Sequence, residues 1–140
     1  IGSVTDRKKP HLIVEAMNNF NSKDIKLYIV GPTPNENYLS QLKKLVQEYD
    51  LEDQVSFTGS IDRKSVMGHY ANTNLMILPS VSEGLARVIF ESQVTACPVL
   101  VTDAPGMGDI VIDGQTGYIF ERDNLESLTN KIKEIKINYE

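Results

Sequence analysis

Apolar positions along this chain follow two alternating spacings. Residues 26–31 (KLYIVG), 55–59 (VSFTG), 75–80 (LMILPS), 98–103 (PVLVTD) and 117–120 (GYIF) are short apolar runs bounded by glycine, proline or polar residues. Such runs read as buried strands. Between them the apolar period lengthens. Leu12, Ile13, Ala16, Met17 and Phe20 recur at helical spacing after Pro10, a residue suited to a first helical turn. Leu39, Leu42, Leu45 and Val46 form one face of an amphipathic stretch at 37–49. Residues 63–73 predict a short helix and residues 85–96 a further one. Residues 123–137 predict a closing helix capped by Asp123 or Asn124. The opening IGSV reads as the end of a strand.

Strands alternating with helices of this length imply βαβ units and a parallel sheet. The expected fold is α/β: one doubly wound, Rossmann-like parallel sheet of about six strands flanked by helices, with residues 1–140 as a single domain. Ligands in such sheets bind beyond the carboxyl ends of the strands. Five loops lie there: residues 3–9, 31–32, 59–62, 79–84 and 103–108. Gly31, Gly59, Gly84, Gly106 and Gly108 all fall in these loops. Any one of them reads as a tight turn. Their recurrence at one edge points to backbone approaching a ligand.

Composition narrows the function. A chain of 140 residues supports one sizeable core. A net charge of −5 argues against nucleic acid, whose phosphates call for a basic face. The single cysteine, Cys97, forms no internal disulfide and reads as a small core residue in a reducing, cytoplasmic setting. No apolar stretch approaches membrane-spanning length and no signal peptide is visible. The chain opens at Ile1 without methionine and reads as a piece of a longer protein. His11, His69 and Cys97 lack metal-ligand spacing, and no Asp-x-Asp pair offers a cation site, so no metal or cofactor is expected. G-x-G-x-x-G after the first strand, the G-x-x-x-x-G-K-[ST] phosphate loop and a G-x-S-x-G elbow are also absent. A receiver domain would need paired acids after the first strand, where this chain is basic.

Four residues in or just beyond these loops could carry chemistry. Lys8 reads as a solvated lysine or as a phosphate contact aided by the helix starting near Pro10. Glu83 reads as a helix cap or first-turn acid. It also reads as a carboxylate that, with the N–H groups of Gly84, Leu85 and Ala86, meets a polyhydroxylated ligand. Glu91 lies eight positions on, in a helix expected to be widely buried, because Ile89 and Phe90 flank it. A carboxylate there needs a partner, and ribose hydroxyls would serve. Arg87 reads equally as an ion-pair partner of Glu83 or Glu91 and as a phosphate contact.

The stretch PSVSEGLARVIFESQVTACPVLVTDAPGMGDIVIDGQTGYIF resembles the donor-binding half of the retaining glycosyltransferases of family four (group 1), which adopt the GT-B fold. Glu83 and Glu91, with seven residues between them, match that family's glutamate pair. Pro98-Val99 matches its strand, Gly106 and Asp109-Ile110-Val111 its loop, and Gly114 and Gly117 its turn. YIVGP, VSFTGSID and SVTDRKKPHLIVEAM extend the likeness over nearly the whole chain.

This resemblance implies metal-independent hexosyl transfer, with retention, from a nucleotide-diphosphate sugar to a glycan, lipid or protein acceptor, as in polysaccharide biosynthesis. It assigns Glu83 and Lys8 to catalysis. Glu83, Gly84, Leu85 and Ala86 would hold the donor sugar. Lys8, Ser3, Arg87 and Val88 would meet phosphate, Glu91 the ribose and Ile61 the base. It also implies an N-terminal acceptor domain absent here, through which peripheral membrane association could arise. The isolated chain is therefore expected to bind donor without transferring it. Two departures stand out. Ser3 occupies the place of a usual arginine, which Arg7, Lys9 or Arg87 could replace, and Ala86 that of a glycine. They motivate the alternative of a catalytically degenerate partner subunit. A nucleotide-sugar epimerase domain is the other alternative.

Overall fold

A computed structural model of the chain describes the backbone of residues 1–20, 22–84 and 86–139, and side chains within these as far as residue 136. Among the described residues five strands and five α-helices follow one another, alternating except where β5 follows β4: α1 (Pro10–Phe20), β1 (Leu27–Val30), α2 (Glu36–Glu48), β2 (Val55–Gly59), α3 (Arg63–Ala71), β3 (Met76–Leu78), α4 (Arg87–Val94), β4 (Val99–Thr102), β5 (Tyr118–Phe120) and α5 (Leu125–Tyr139). Every pairing between these strands is parallel.

The elements start and stop for local reasons. Asn35 Oδ1 accepts from Tyr38 N at 3.1 Å and caps α2. Asp62 Oδ1 accepts from Ser65 N at 3.0 Å and caps α3. Of the two residues expected to cap α5, Asn124 does so: its Oδ1 accepts from Ser127 N at 2.9 Å. β4 is buried along its whole length, as an apolar strand covered on both faces should be.

One expectation is corrected. In place of a single sheet of about six strands, the described residues form a two-stranded sheet, β1-β2, and a three-stranded sheet, β3-β4-β5. The opening residues 1–5 belong to no strand. They nevertheless run beside the end of β1, where Gly2 N donates to Val30 O at 2.8 Å.

Helix α1 joins the two halves. Its Val14 and Met17 pack with β1, β2 and α2, while Leu12 and Ala16 pack with Leu100, Phe120, Leu128 and Ile135 of β4, β5 and α5. A third cluster sets Ile89 of α4 against Val99 and Val101 of β4. Cys97 is buried there, in keeping with a small core residue. Residues 1–9 link the two sheets at their carboxyl ends: Gly2 N donates to Val30 O at the end of β1, and Val81 N, beyond β3, donates to Arg7 O.

Candidate functional site

Three loops converge on Glu83. Its Oε1 accepts a hydrogen bond from Ser80 Oγ at 2.7 Å. The same oxygen lies 3.4 Å from Lys8 Nζ and 3.5 Å from Arg7 Nη1. Arg7 also donates to the Ser82 carbonyl, and Val81 N donates to Arg7 O at 3.1 Å, so residues 3–9 are fastened to residues 79–84. Only 9% of the Glu83 side chain and 18% of that of Lys8 is exposed. This pair therefore has more weight than a surface bridge.

The loop holding Glu83 is braced from beneath. Ser80 is fully buried. Its carbonyl accepts from Thr102 Oγ1 at 2.7 Å, and that oxygen in turn accepts from Ala104 N at 3.3 Å. Thr102 is the last residue of β4, so the central strand sets the height of the loop. Gly106 completes the approach. With φ +87 it stands where a side chain is disfavoured, and a Cβ there would lie 2.2 Å from Glu83 O.

Glu91 sits elsewhere and is held differently. It lies one turn into α4, where Arg63 Nη1 donates to Oε1 at 3.1 Å and Tyr70 OH donates to Oε2 at 3.2 Å. Both partners belong to α3. Tyr70 is buried, and burial first, then the charge of Glu91, raises its pKa. The phenol therefore stays protonated and donates.

The other expected site residues fall as follows. Helix α4 begins at Arg87, later than the sequence pattern implies, and Ala86 precedes it without a side-chain cap. Glu83 is therefore not a cap or first-turn acid but a loop carboxylate, three positions before the N-cap residue Ala86. Glu91 lies one turn into the helix. The helix is also less widely buried than expected: Ile89 is inside, but Phe90 is 44% and Val94 84% exposed. Arg87 is exposed, and among the described residues neither glutamate is its ion-pair partner. Lys9 turns away to Asp123, at 3.2 Å. Ser3 and Gly84 are exposed, Ala86 is buried, and Val88 is half-buried at the start of α4. Ile61 is half-buried in the loop between β2 and α3, next to the cap Asp62. Leu85 lies outside the described residues.

Four contacts escaped the sequence reading: Ser80 and Thr102 beneath Glu83, and Arg63 and Tyr70 on Glu91. The last two carried a signal, since positions seven apart on a helix share a face. Among the described residues, no three His, Cys, Asp or Glu side chains group as a metal site would need. No helix there is long and apolar enough to cross a membrane.

The family model of glycosyl transferases group 1 matches residues 1–140. The chain is 26% identical over 145 residues to the capsular polysaccharide biosynthesis glycosyltransferase CapM of Staphylococcus aureus, a match that covers 96% of this chain and 35% of CapM. Its fold superposes on HepE of Anabaena, solved in complex with UDP-glucose, at a TM-score of 0.91 and 22% identity, over 99% of this chain and 39% of HepE. It superposes on the C-terminal domain of a group 1 glycosyl transferase, LpcC of Francisella tularensis, at 0.89 and 20% identity, over 98% of this chain and 73% of that one. The chain thus spans little more than a third of the length of the curated relatives it matches.

Proposed function

The chain belongs to the glycosyl transferases of group 1, and on that premise we propose that it is the donor-binding, C-terminal domain of a GT-B enzyme. One observation carries the reading: Lys8 and Arg7 meet the carboxylate of Glu83 at the carboxyl edge of the strands. Two cations and an acid there suit a nucleotide-diphosphate sugar.

In this reading the diphosphate takes the place of Glu83 beside Lys8 and Arg7, and Glu83 turns to the hydroxyls of the sugar. Arg7 supplies the cation that Ser3 does not, because Lys9 is engaged by Asp123 and Arg87 stands apart. Gly84, Leu85 and Ala86 line the sugar, and Val88 offers its N–H to phosphate at the start of α4. Glu91 holds the ribose and Ile61 the base. When the bond from the anomeric carbon to the diphosphate oxygen breaks, negative charge grows on the departing diphosphate. Fixed cations stabilise that charge without a metal ion. Transfer proceeds with retention to a glycan, lipid or protein acceptor, as suits polysaccharide assembly. The acceptor is held by a separate N-terminal domain, so the isolated chain binds donor and does not transfer.

The test is an amide NMR titration of the chain with UDP, GDP, ADP and their sugars. Shifts are expected to cluster at Lys8, Ile61, residues 83–88 and Glu91 for one nucleotide. Shifts confined to other surfaces, or none at millimolar nucleotide, would overturn the reading. Transfer by the isolated chain at enzymic rates would overturn the division of labour between domains.

A further inference from the structure

A second polar recess lies apart from Glu83 and Glu91. It is a cleft of about 400 Å³ between residues 3–9 and the start of α2, lined by Thr5, Asp6, Asn35, Asn37, Tyr38 and Gln41. Clefts of roughly 300–1,000 Å³ hold small ligands, mostly between apolar walls. Here every lining side chain is polar, and among the described residues Asp6 alone carries charge. Polar walls argue against a lipid, and the charge of Asp6 argues against an anion.

Local structure leaves most of these groups uncommitted. Asn35 uses Oδ1 to cap α2, accepting from Tyr38 N at 3.1 Å, and keeps its amide N–H groups. Asn37 and Gln41 are exposed and stand one turn apart on one face of α2. Neither side chain is hydrogen-bonded among the described residues. Tyr38 is fixed from behind, with its hydroxyl 3.0 Å from His11 Nδ1. Burial first, then the charge of Asp6, pushes its pKa up to about 12, so the phenol stays protonated with the carboxylate close by. Thr5 is an independent sign. Its Oγ1 is one of two buried side-chain oxygens among the described residues that have no hydrogen-bond partner. A buried hydroxyl of that kind calls for an atom that the chain itself does not supply.

We propose that this cleft is a second carbohydrate site, separate from the donor site, and that it takes one neutral hexose unit of a glycan. Each hydroxyl of a pyranose both donates and accepts. Amides that do the same, beside a carboxylate that only accepts, match a pair of neighbouring hydroxyls. Asp6 accepts from that pair, Asn37 and Gln41 bond the next hydroxyls, and the sugar gives Thr5 Oγ1 its partner. The cleft and the donor site share one turn of backbone. Asp6, Arg7 and Lys8 form a single 3-10 turn, so the residue facing the glycan directly precedes the two that meet Glu83. On the transferase reading proposed above, a glycan held here stays beside the donor between transfers. The binding itself does not depend on that reading.

The experiment is an NMR titration of the chain, read at backbone and side-chain amides, with the methyl glycosides of glucose, mannose and galactose, and separately with UDP. At least one glycoside is expected to shift Asp6, Asn35, Asn37 and Gln41. The double variant Asn37→Ala/Gln41→Ala, exposed and favourable to helix, should bind that glycoside about tenfold or more weakly, for two lost hydrogen bonds, with UDP affinity unchanged. The matching uronide, which adds a carboxylate, should bind more weakly than the neutral glycoside. No shift with any glycoside at high millimolar concentration overturns the proposal. Shifts centred on residues 83–88 also overturn it, because the sugar would then occupy the donor site. So does undiminished affinity in the double variant, or a uronide that binds as tightly as its neutral parent. The two readings fail separately. Glycoside shifts at the cleft without any UDP shift sink the donor reading and keep the cleft, and the reverse sinks the cleft alone.

Discussion

The two glutamates that mark this chain sit in opposite kinds of surroundings. Glu83 lies in a loop, and its cations come from a segment some seventy-five positions earlier. Glu91 lies on a helix, and its partners come from the neighbouring helix α3. The first arrangement brings positive charge together where strands end. The second brings one exposed cation and one buried hydroxyl to a carboxylate that is 23% exposed. In the proposed reading the cations beside Glu83 take the diphosphate, and Glu91 takes the ribose.

Substitution of Lys8 tests that division most severely. In the full-length transferase Lys8→Ala is expected to lower kcat by about 100- to 1,000-fold, the usual loss for one stabilising group aimed at developing charge. In the chain itself it weakens UDP while leaving uridine nearly untouched, as calorimetric titration would read. Equal losses for UDP and uridine would erase the contrast between the two regions. Glu83→Gln sharpens the contrast by its sign. Freed of their counter-charge, Lys8 and Arg7 should bind diphosphate more tightly even as sugar transfer falls.

Glu91→Ala comes next in size. Hydrogen bonds to a charged group contribute about 1.5–3 kcal/mol, so nucleoside and nucleoside diphosphate should both weaken by roughly 10- to 150-fold. A ribose contact requires the two to weaken together. A 2′,3′-dideoxynucleotide should lose most of its disadvantage against this variant. If instead Glu91→Ala unfolds α3 from α4 with no selective effect on ribose, the glutamate is structural.

How much of this was legible beforehand depends on which forces set each feature. The five strands and five helices follow local periodicity and appear close to their expected places. The start of α4 does not: the expected span opens at residue 85, whereas the helix opens at Arg87 after Ala86, which offers no side-chain cap. The basic run Arg7-Lys8-Lys9 could not be apportioned from its order. A left-handed turn at Lys9, φ 49, divides it, sending Arg7 and Lys8 to Glu83 and Lys9 to Asp123. The split sheet was invisible too, since IGSV reads as strand by composition while residues 1–5 join no strand.

Smaller effects separate support from contact. Thr102→Val keeps the shape of the side chain but leaves the buried Ser80 carbonyl without its donor, which costs about 1–3 kcal/mol of stability. Denaturant unfolding would measure it, and a change under 0.5 kcal/mol would mean that the loop is held from elsewhere. Tyr70→Phe is smaller still. It removes one hydroxyl from the buried side of Glu91, an effect of about 0.5–1.5 kcal/mol, or roughly 2- to 13-fold in nucleoside affinity. The decisive readout is its dependence on Glu91. In a double-mutant cycle the Tyr70 effect should vanish once Glu91 is alanine, because the phenol acts only by aiming that carboxylate. An undiminished loss in the double variant would make Tyr70 a packing residue of α3, and would leave Arg63 alone to orient the ribose side of the site.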